Sequence, residues 1–500
     1  MRARAHSSPL FVATVVLIAA AALAATKSEV KPEPEPCAIR VLFLGHESEH
    51  HNSNKFYPML AKGLGRDAIY FDYVTSVEEA FGDADYLNKF DAVLLYANHG
   101  TITPDQWANL KSYVEGGGGF IPVHCASWCF GNEPGFDKLV GGRFDSHKTG
   151  TFTAKVVAAE HPAMSGVKEF EAWDETYKHR NHNEEDRTVL MVREVAGDDD
   201  NITDPEPWTW VRTQGEGRVF YTASGHDERV WEQPAFHQLL KAGILWSVGD
   251  SRRQAYEEFI AVRAPLKYER RADVPNYENR PEPLPYQFPL SAEDSMDYTR
   301  APVGFRLELF ASEPDIINPI GLAWDERGRL WAAETIDYPN ELKPDRIGND
   351  KIKILEDTDG DGKCYKVTVF ADGLNIPTSL TFSRGGIIVA HVPDFLFLKD
   401  TDGDDKADVR EVLTTGWGTG DTHAGPSNLR YGFDNWIWGT VGYSSFNGTV
   451  GGEQKRFGSG VFRMKPDGSA LEFLHQFNNN TWGLGFNSAG DVFGSTANNN

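Results

Sequence analysis

Residues 116–124 read GGGGFIPVH: four glycines, an apolar run, then a histidine. That is the pattern of a buried strand delivering a polar side chain to the loop beyond it. Working outward, the same shape recurs. Residues 38–45 (AIRVLFLG) run into His46, and 90–98 (FDAVLLYAN) into His99. Between and after them, 54–64 read as a helix, 68–74 as a strand, and 104–115 as a helix with Pro104 in its first turn. Further strands are expected near 151–158, 188–193 and 218–224, and a helix over 234–248 closes the unit. Continuous apolar strands separated by helices predict a doubly wound α/β domain, with a largely parallel sheet covered on both faces, across 38–250.

At roughly 150 residues per domain, 500 residues predict about three domains. The chain has 73 Asp plus Glu against 49 Lys plus Arg, a net charge of −24. Such acidity argues against nucleic acid or an anionic membrane surface as the main partner. Four cysteines are too few for a disulfide scaffold, and no CxxCH motif for covalent haem occurs. Arg2 and Arg4 precede an apolar run at 10–25, and Ala22-Leu23-Ala24 resembles a cleavage site. Residues 1–25 therefore read as a signal peptide, and 26–37 as a Pro/Glu-rich spacer. The protein is expected to be periplasmic or secreted, with a retained N-terminal membrane anchor as the alternative.

Residues 251–300 are charged and Pro-rich (PNYENRPEPLPYQFPL) and read as a linker. From 301 a phrase repeats: PIGLAWDERGRLWAAET (319–335), IPTSLTFSRGGIIVAHV (376–392), GPSNLRYGFDNWIWGTV (425–441) and TWGLGFNSAGDVFGSTA (481–497). Each copy is strand, turn, strand. A period near 50 predicts a β-propeller of about four blades over 301–500, C-terminally incomplete. Two acidic loops lie between copies. Asp357, Asp359 and Asp361 form the first; Asp400, Asp402, Asp404, Asp408 and Glu411 form the second. The second has the oxygen spacing of an EF-hand, although Asp405 stands where the turn glycine belongs. Alternating carboxylates on a tight loop suit calcium, with a metal-free acidic turn as the alternative.

Eleven of the fifteen histidines lie between 46 and 237. His46, His124 and His226 follow strands, where doubly wound sheets bind ligands. With Asp174, Glu175 and Tyr177 they make a candidate site for acid–base chemistry or a divalent transition metal. His124, His226 and Glu175 are the candidate catalytic residues, and His46 the candidate metal ligand. His50 and His51 read as a polar loop, and His179 and His182, in KHRNHNEED, as a solvated turn. Cys125 is read either as a buried thiol, as a nucleophile, or as half of a disulfide with Cys129.

The phrases VLFLGHESEHH (41–51), GGGFIPVHCAS (117–127), GGRFDSH (141–147), EHPAM (160–164), WDETY (173–177) and PWTWVRTQGEGRVFYTASGHDERVW (207–231) resemble the ThuA-like, trehalose-utilisation family. The resemblance implies the flavodoxin-like fold of class I glutamine amidotransferases without their catalytic Cys–His–Glu set. The elbow glycines that flank the amidotransferase cysteine are absent around Cys125. It also implies a role in sugar catabolism, which makes Trp208, Asp174 and Tyr177 candidate substrate contacts; Trp208 and Trp210 read equally well as core.

The phrase DTHAGPSNLRYGFDNW (421–436) resembles soluble quinoprotein glucose/sorbosone dehydrogenases, and more closely the propellers of large exported proteins named as membrane-bound dehydrogenases. The resemblance implies PQQ as cofactor, His423 as the base that takes the substrate hydroxyl proton, and Asn480 beside the cofactor. The basic residues that hold the quinone carboxylates in that family have no counterpart here. The expected function is exported carbohydrate processing: a sugar dehydrogenase with a sugar-transforming or sugar-binding module, passing electrons to an acceptor such as a c-type cytochrome. The alternatives are a non-catalytic carbohydrate-binding scaffold, and a metal-dependent hydrolase or lyase with the propeller as targeting module.

Overall fold

The computed structural model describes residues 38–194, 205–274, 276 and 279–497; the signal-like segment and spacer at 1–37 lie outside them. The chain divides into two compact units, Met1–Pro265 and Leu266–Asn500. No helix among the described residues is long and apolar enough to cross a membrane.

Among the described residues the first unit has twelve strands: β1 (Ile39–Leu44), β2 (Ile69–Val74), β3 (Ala92–Leu95), β4 (Gly119–Pro122), β5 (Arg143–Ser146), β6 (Thr149–Thr153), β7 (Lys155–Val156), β8 (Glu171–Glu175), β9 (Lys178–Arg180), β10 (Arg187–Arg193), β11 (Glu206–Gln214) and β12 (Gly217–Thr222). Eight of them form one sheet in the order β2-β1-β3-β4-β12-β11-β10-β7. From β2 to β12 neighbours run parallel, and β11, β10 and β7 add antiparallel. The chain leaves β1 for β2 on one side and returns to β3 on the other, so the order reverses at β1, the place where such sheets leave a crevice. Strands β1, β3 and β4 are buried almost end to end, as a sheet covered on both faces requires. The helix Pro104–Glu115 starts where expected, because Thr103 and Gln106 form a capping box around a first-turn proline.

Two expectations are corrected. The strand near 151–158 is split between β6 and β7, and β6 pairs with β8 outside the main sheet. Residues expected to open the linker form the helix Asp250–Val262 of the first unit. Polar contacts hold that helix: Arg252 Nε to Asp91 Oδ1 at 2.7 Å and Tyr256 Oη to Asp67 O at 2.7 Å. Only Tyr256 is buried, which is why the sequence shows no apolar stripe there.

Among the described residues the second unit contains three four-stranded antiparallel sheets. They are Pro319–Trp324, Leu330–Glu334, Asp350–Glu356 and Lys366–Leu374; Pro377–Ser383, Gly386–His391, Asp394–Lys399 and Val409–Thr415; and Pro426–Tyr431, Ile437–Val441, Gly460–Met464 and Leu471–Gln476. A hairpin, Thr481–Phe486 with Val492–Thr496, follows. Each repeated phrase is the first hairpin of one of these four. The first strands of successive sheets touch: Thr378 Oγ1 donates to Pro426 O at 2.6 Å, and Leu429 N to Ser379 Oγ at 3.0 Å. Apolar residues of one sheet pack on the next, Trp331 and Ile352 with Leu380 and Val389, then Phe395 and Trp417 with Phe446 and Phe462.

Buried His391 accepts the Asn375 backbone N–H on Nε2 at 3.0 Å, and burial, aided by Arg410, pushes its pKa down from 6.5 to about 4. The unfolded chain binds this proton first, so its contribution to stability is complete above pH 6.5 and is lost as pH falls towards 4. The loss amounts to about 3 kcal/mol. Melting temperatures of a His391→Gln chain should therefore fall less steeply across that window than those of the parent.

Candidate functional site

Three loops and one strand end meet at the crevice. His51 lies between β1 and the helix Ser53–Gly65; His124 opens a short 3-10 turn after β4; His226 follows β12; Glu175 ends β8. One ligand atom from each lies within 4.8 Å of the others. Glu175 is the hub. Its Oε2 is 3.3 Å from His124 Nε2 and 3.7 Å from His51 Nε2, and its Oε1 is 3.3 Å from His226 Nδ1 and 3.5 Å from His147 Nδ1.

The opposite ring nitrogens decide what faces the centre. His124 Nδ1 is 2.6 Å from the Ala223 carbonyl and His51 Nδ1 is 2.8 Å from Asn98 Oδ1. Both partners only accept, so both Nδ1 atoms carry hydrogen and both Nε2 atoms present lone pairs. His124 Nε2, His51 Nε2 and His226 Nδ1 are buried without a hydrogen-bond partner. A carboxylate and three imidazole nitrogens thus converge, those of His124 and His51 presenting lone pairs to it, an arrangement that suits a cation.

The backbone around the ligands is unusual. His51 and His124 sit at φ 52° and 48°, in the left-handed region that costs a side-chain-bearing residue energy. Gly225, at φ 132°, supplies the turn that brings in His226. Asp174 pins that turn, accepting from Gly225 N at 3.0 Å, His226 N at 3.1 Å and Glu175 N at 2.9 Å. Tyr177 stacks on the His124 ring, centroids 4.1 Å apart.

Burial holds His124 neutral down to about 4. Burial alone would raise Glu175, but the imidazoles of His124, His226 and His51 outweigh it and keep the carboxylate ionised. For His226 burial would lower the pKa, and the Glu175 carboxylate reverses this and raises it. Burial pushes Asp174 up to about 7 against its three backbone donors.

Of the residues singled out in the sequence, the structure brings His124, His226 and Glu175 together, and it adds His51 to them. His46, expected as a ligand, has both ring nitrogens engaged, Nε2 with His51 O at 3.1 Å and Nδ1 accepting from Asn98 N at 3.3 Å. It holds the loop that carries His51, a residue whose sequence context reads as a polar loop. His147, which the sequence places among the histidines of this edge but not among the candidate catalytic residues or ligands, stands beside Glu175. Trp208 is completely buried, its Nε1 bonded to Ser224 Oγ at 2.7 Å, and so has no face for a sugar; Trp210 is buried as well. Asp174 and Tyr177 are buried against the ligands, so they position histidines rather than reach a substrate. Cys125 and Cys129 are free buried thiols, and burial pushes Cys125 far above the ordinary thiol range, which removes the nucleophile and disulfide readings. His179 is buried, not solvated.

In the second unit, Asp357, Asp359 and Asp361 converge, as do Asp400, Asp402 and Asp408. Asp404 and Glu411 do not join the latter. Asp404 faces Lys406 at 3.8 Å, and Glu411, carried away on its strand, faces Arg384 at 3.8 Å. Asp405 adopts φ 62°, the left-handed conformation that Gly362 takes at φ 89° in the first loop. His423 is exposed, with Nδ1 3.3 Å from Asp421 Oδ1. Asn480 is buried with an unpartnered Oδ1. It stands close to the backbone that follows His423, for a Cβ added at Gly442 would meet Asn480 Oδ1 at 1.8 Å and Ala424 O at 2.9 Å.

The trehalose-utilisation (ThuA) family model matches residues 40–247, and a domain of unknown function, DUF7133, matches 291–500. Among solved structures, a ThuA-like protein from Bacteroides uniformis is 21% identical, with 43% of this chain and 92% of that one covered and a TM-score of 0.36. One from Parabacteroides merdae is 20% identical, with 42% and 90% covered and a TM-score of 0.38. No curated protein matches the chain. Residues 40–247 are a ThuA-like domain, followed in the same chain by an all-β region of small sheets that matches DUF7133.

Proposed function

We propose that the ThuA-like domain is a metal-dependent, carbohydrate-processing enzyme centred on His51, His124, Glu175 and His226. The observation that carries this is the set of three buried imidazole nitrogens, unpartnered and aimed at one carboxylate. Three imidazoles and a carboxylate suit a divalent transition metal such as zinc, manganese or iron. Such an ion would supply Lewis-acid polarisation of a sugar hydroxyl or carbonyl. Asn98 and the Ala223 carbonyl fix the ring tautomers, Asp174 fixes the His226 turn, and His147, 38% exposed, is the member of the cluster that an incoming substrate meets first. The carbohydrate assignment draws on the family's association with trehalose utilisation. Elemental analysis of the full chain should find about one transition metal, lost in His226→Ala; a metal-free parent would leave acid–base chemistry or simple binding.

A second reading concerns the DUF7133 region, whose sheets we take as propeller blades and the whole protein as exported, with calcium in the Asp357 and Asp400 loops. The unpartnered Asn480 Oδ1, in a space that only glycine at 442 leaves open and near the Ala424 backbone that follows His423, supports a sugar dehydrogenase site with a quinone cofactor. There His423, oriented by Asp421, would accept a hydroxyl proton and Asn480 would hold the quinone. Dye-linked sugar oxidation dependent on added PQQ and absent in His423→Ala would support it; no oxidation with PQQ would leave a binding scaffold.

A further inference from the structure

His179 is the middle of a buried hydrogen-bonded chain that ends beneath the histidine cluster. Glu206 Oε1 accepts from the His179 backbone N at 3.0 Å and lies 2.9 Å from its Nδ1. Facing this carboxylate, Nδ1 carries the hydrogen, and Nε2 lies 2.9 Å from the Tyr221 hydroxyl. The same hydroxyl reaches the 3-10 turn of His124, 3.2 Å from the His124 carbonyl and 3.1 Å from Ser127 Oγ. Ser127 Oγ donates to that carbonyl at 3.1 Å. Trp210 closes over Tyr221, with ring centroids 4.2 Å apart.

A carboxylate, an imidazole and a phenol in a core are harder to bury than apolar residues of the same size. The single Tyr221 hydrogen serves one acceptor at a time; given to His179 Nε2, it leaves Ser127 Oγ to donate to the His124 carbonyl, so the chain ends on the backbone of the residue held at φ 48°. We propose that Glu206, His179 and Tyr221 are a positioning relay. It locks the left-handed turn of His124 and so sets the affinity and geometry of the centre while touching neither metal nor substrate. This rests on the metal reading above.

Cobalt(II) is the probe, because its visible absorption reports ligand geometry. Full-length Tyr221→Phe removes one hydroxyl and leaves the ring packing intact. It should bind cobalt about 10- to 100-fold more weakly than the parent, as loss of an outer-shell partner does, with an altered visible band and a nearly unchanged melting temperature. His179→Ala should weaken binding as much, and His179→Gln, which can still bridge Glu206 and Tyr221, should recover part of it. Parent-like affinity and spectrum in Tyr221→Phe and His179→Ala would overturn the relay while leaving the metal centre standing. A parent that binds no cobalt would overturn both.

Discussion

Full-length His124→Ala should bind a divalent transition metal at least about a hundredfold more weakly than the parent. Structural four-ligand zinc sites bind with about 10–16 kcal/mol, or roughly 3 kcal/mol per ligand, and 1.4 kcal/mol is tenfold. His124 is completely buried with its Nδ1 committed to Ala223 O, so no side-chain movement can substitute another donor. His46→Gln is the matched control. It alters the loop that bears His51 but removes no ligand, and should cost about tenfold. Competition titration against a chromophoric chelator measures both. Equal affinities in parent and His124→Ala would reject the four-residue centre.

Asp350→Ala should destabilise the second unit by about 3–5 kcal/mol. Asp350 is fully buried, and its carboxylate accepts from Thr335 Oγ1 at 2.7 Å, Ile336 N at 2.6 Å, Asp337 N at 3.0 Å and Ile376 N at 2.6 Å. It therefore ties the turn after the second strand of the first sheet to the start of the second sheet. Alanine would leave three backbone N–H groups in the interior unpaired. Asp350→Asn retains one acceptor oxygen and should fall between. Denaturant unfolding followed by tryptophan fluorescence tests the order, and an alanine variant as stable as the parent would contradict it.

Much of this was legible in the sequence, for physical reasons. Apolar strands that end in histidine announce a parallel sheet and the edge beyond its strands, where the structure sets His124 and His226 side by side. The four repeated phrases mark hairpins because each alternates around a turn that needs Gly, Asp or Asn. What escaped was set by backbone conformation and cross-chain pairing. His51 reaches the centre only because its φ turns the loop inward, which no local pattern encodes. His179 lies on a three-residue strand whose neighbours, Lys178 and Arg180, are charged, so burial of the middle residue leaves no periodic trace. Trp208 failed in the opposite direction: an aromatic residue that suits a sugar suits a core equally well.

His51 and His124 have a last consequence, in the trade between durability and use. A chain selected only to remain folded would carry glycine or asparagine at these two left-handed positions. Histidine there costs on the order of 1–3 kcal/mol at each site. The surrounding sheet must supply a surplus large enough to absorb that burden, which leaves the domain less tolerant of damage elsewhere than its well-packed core would suggest.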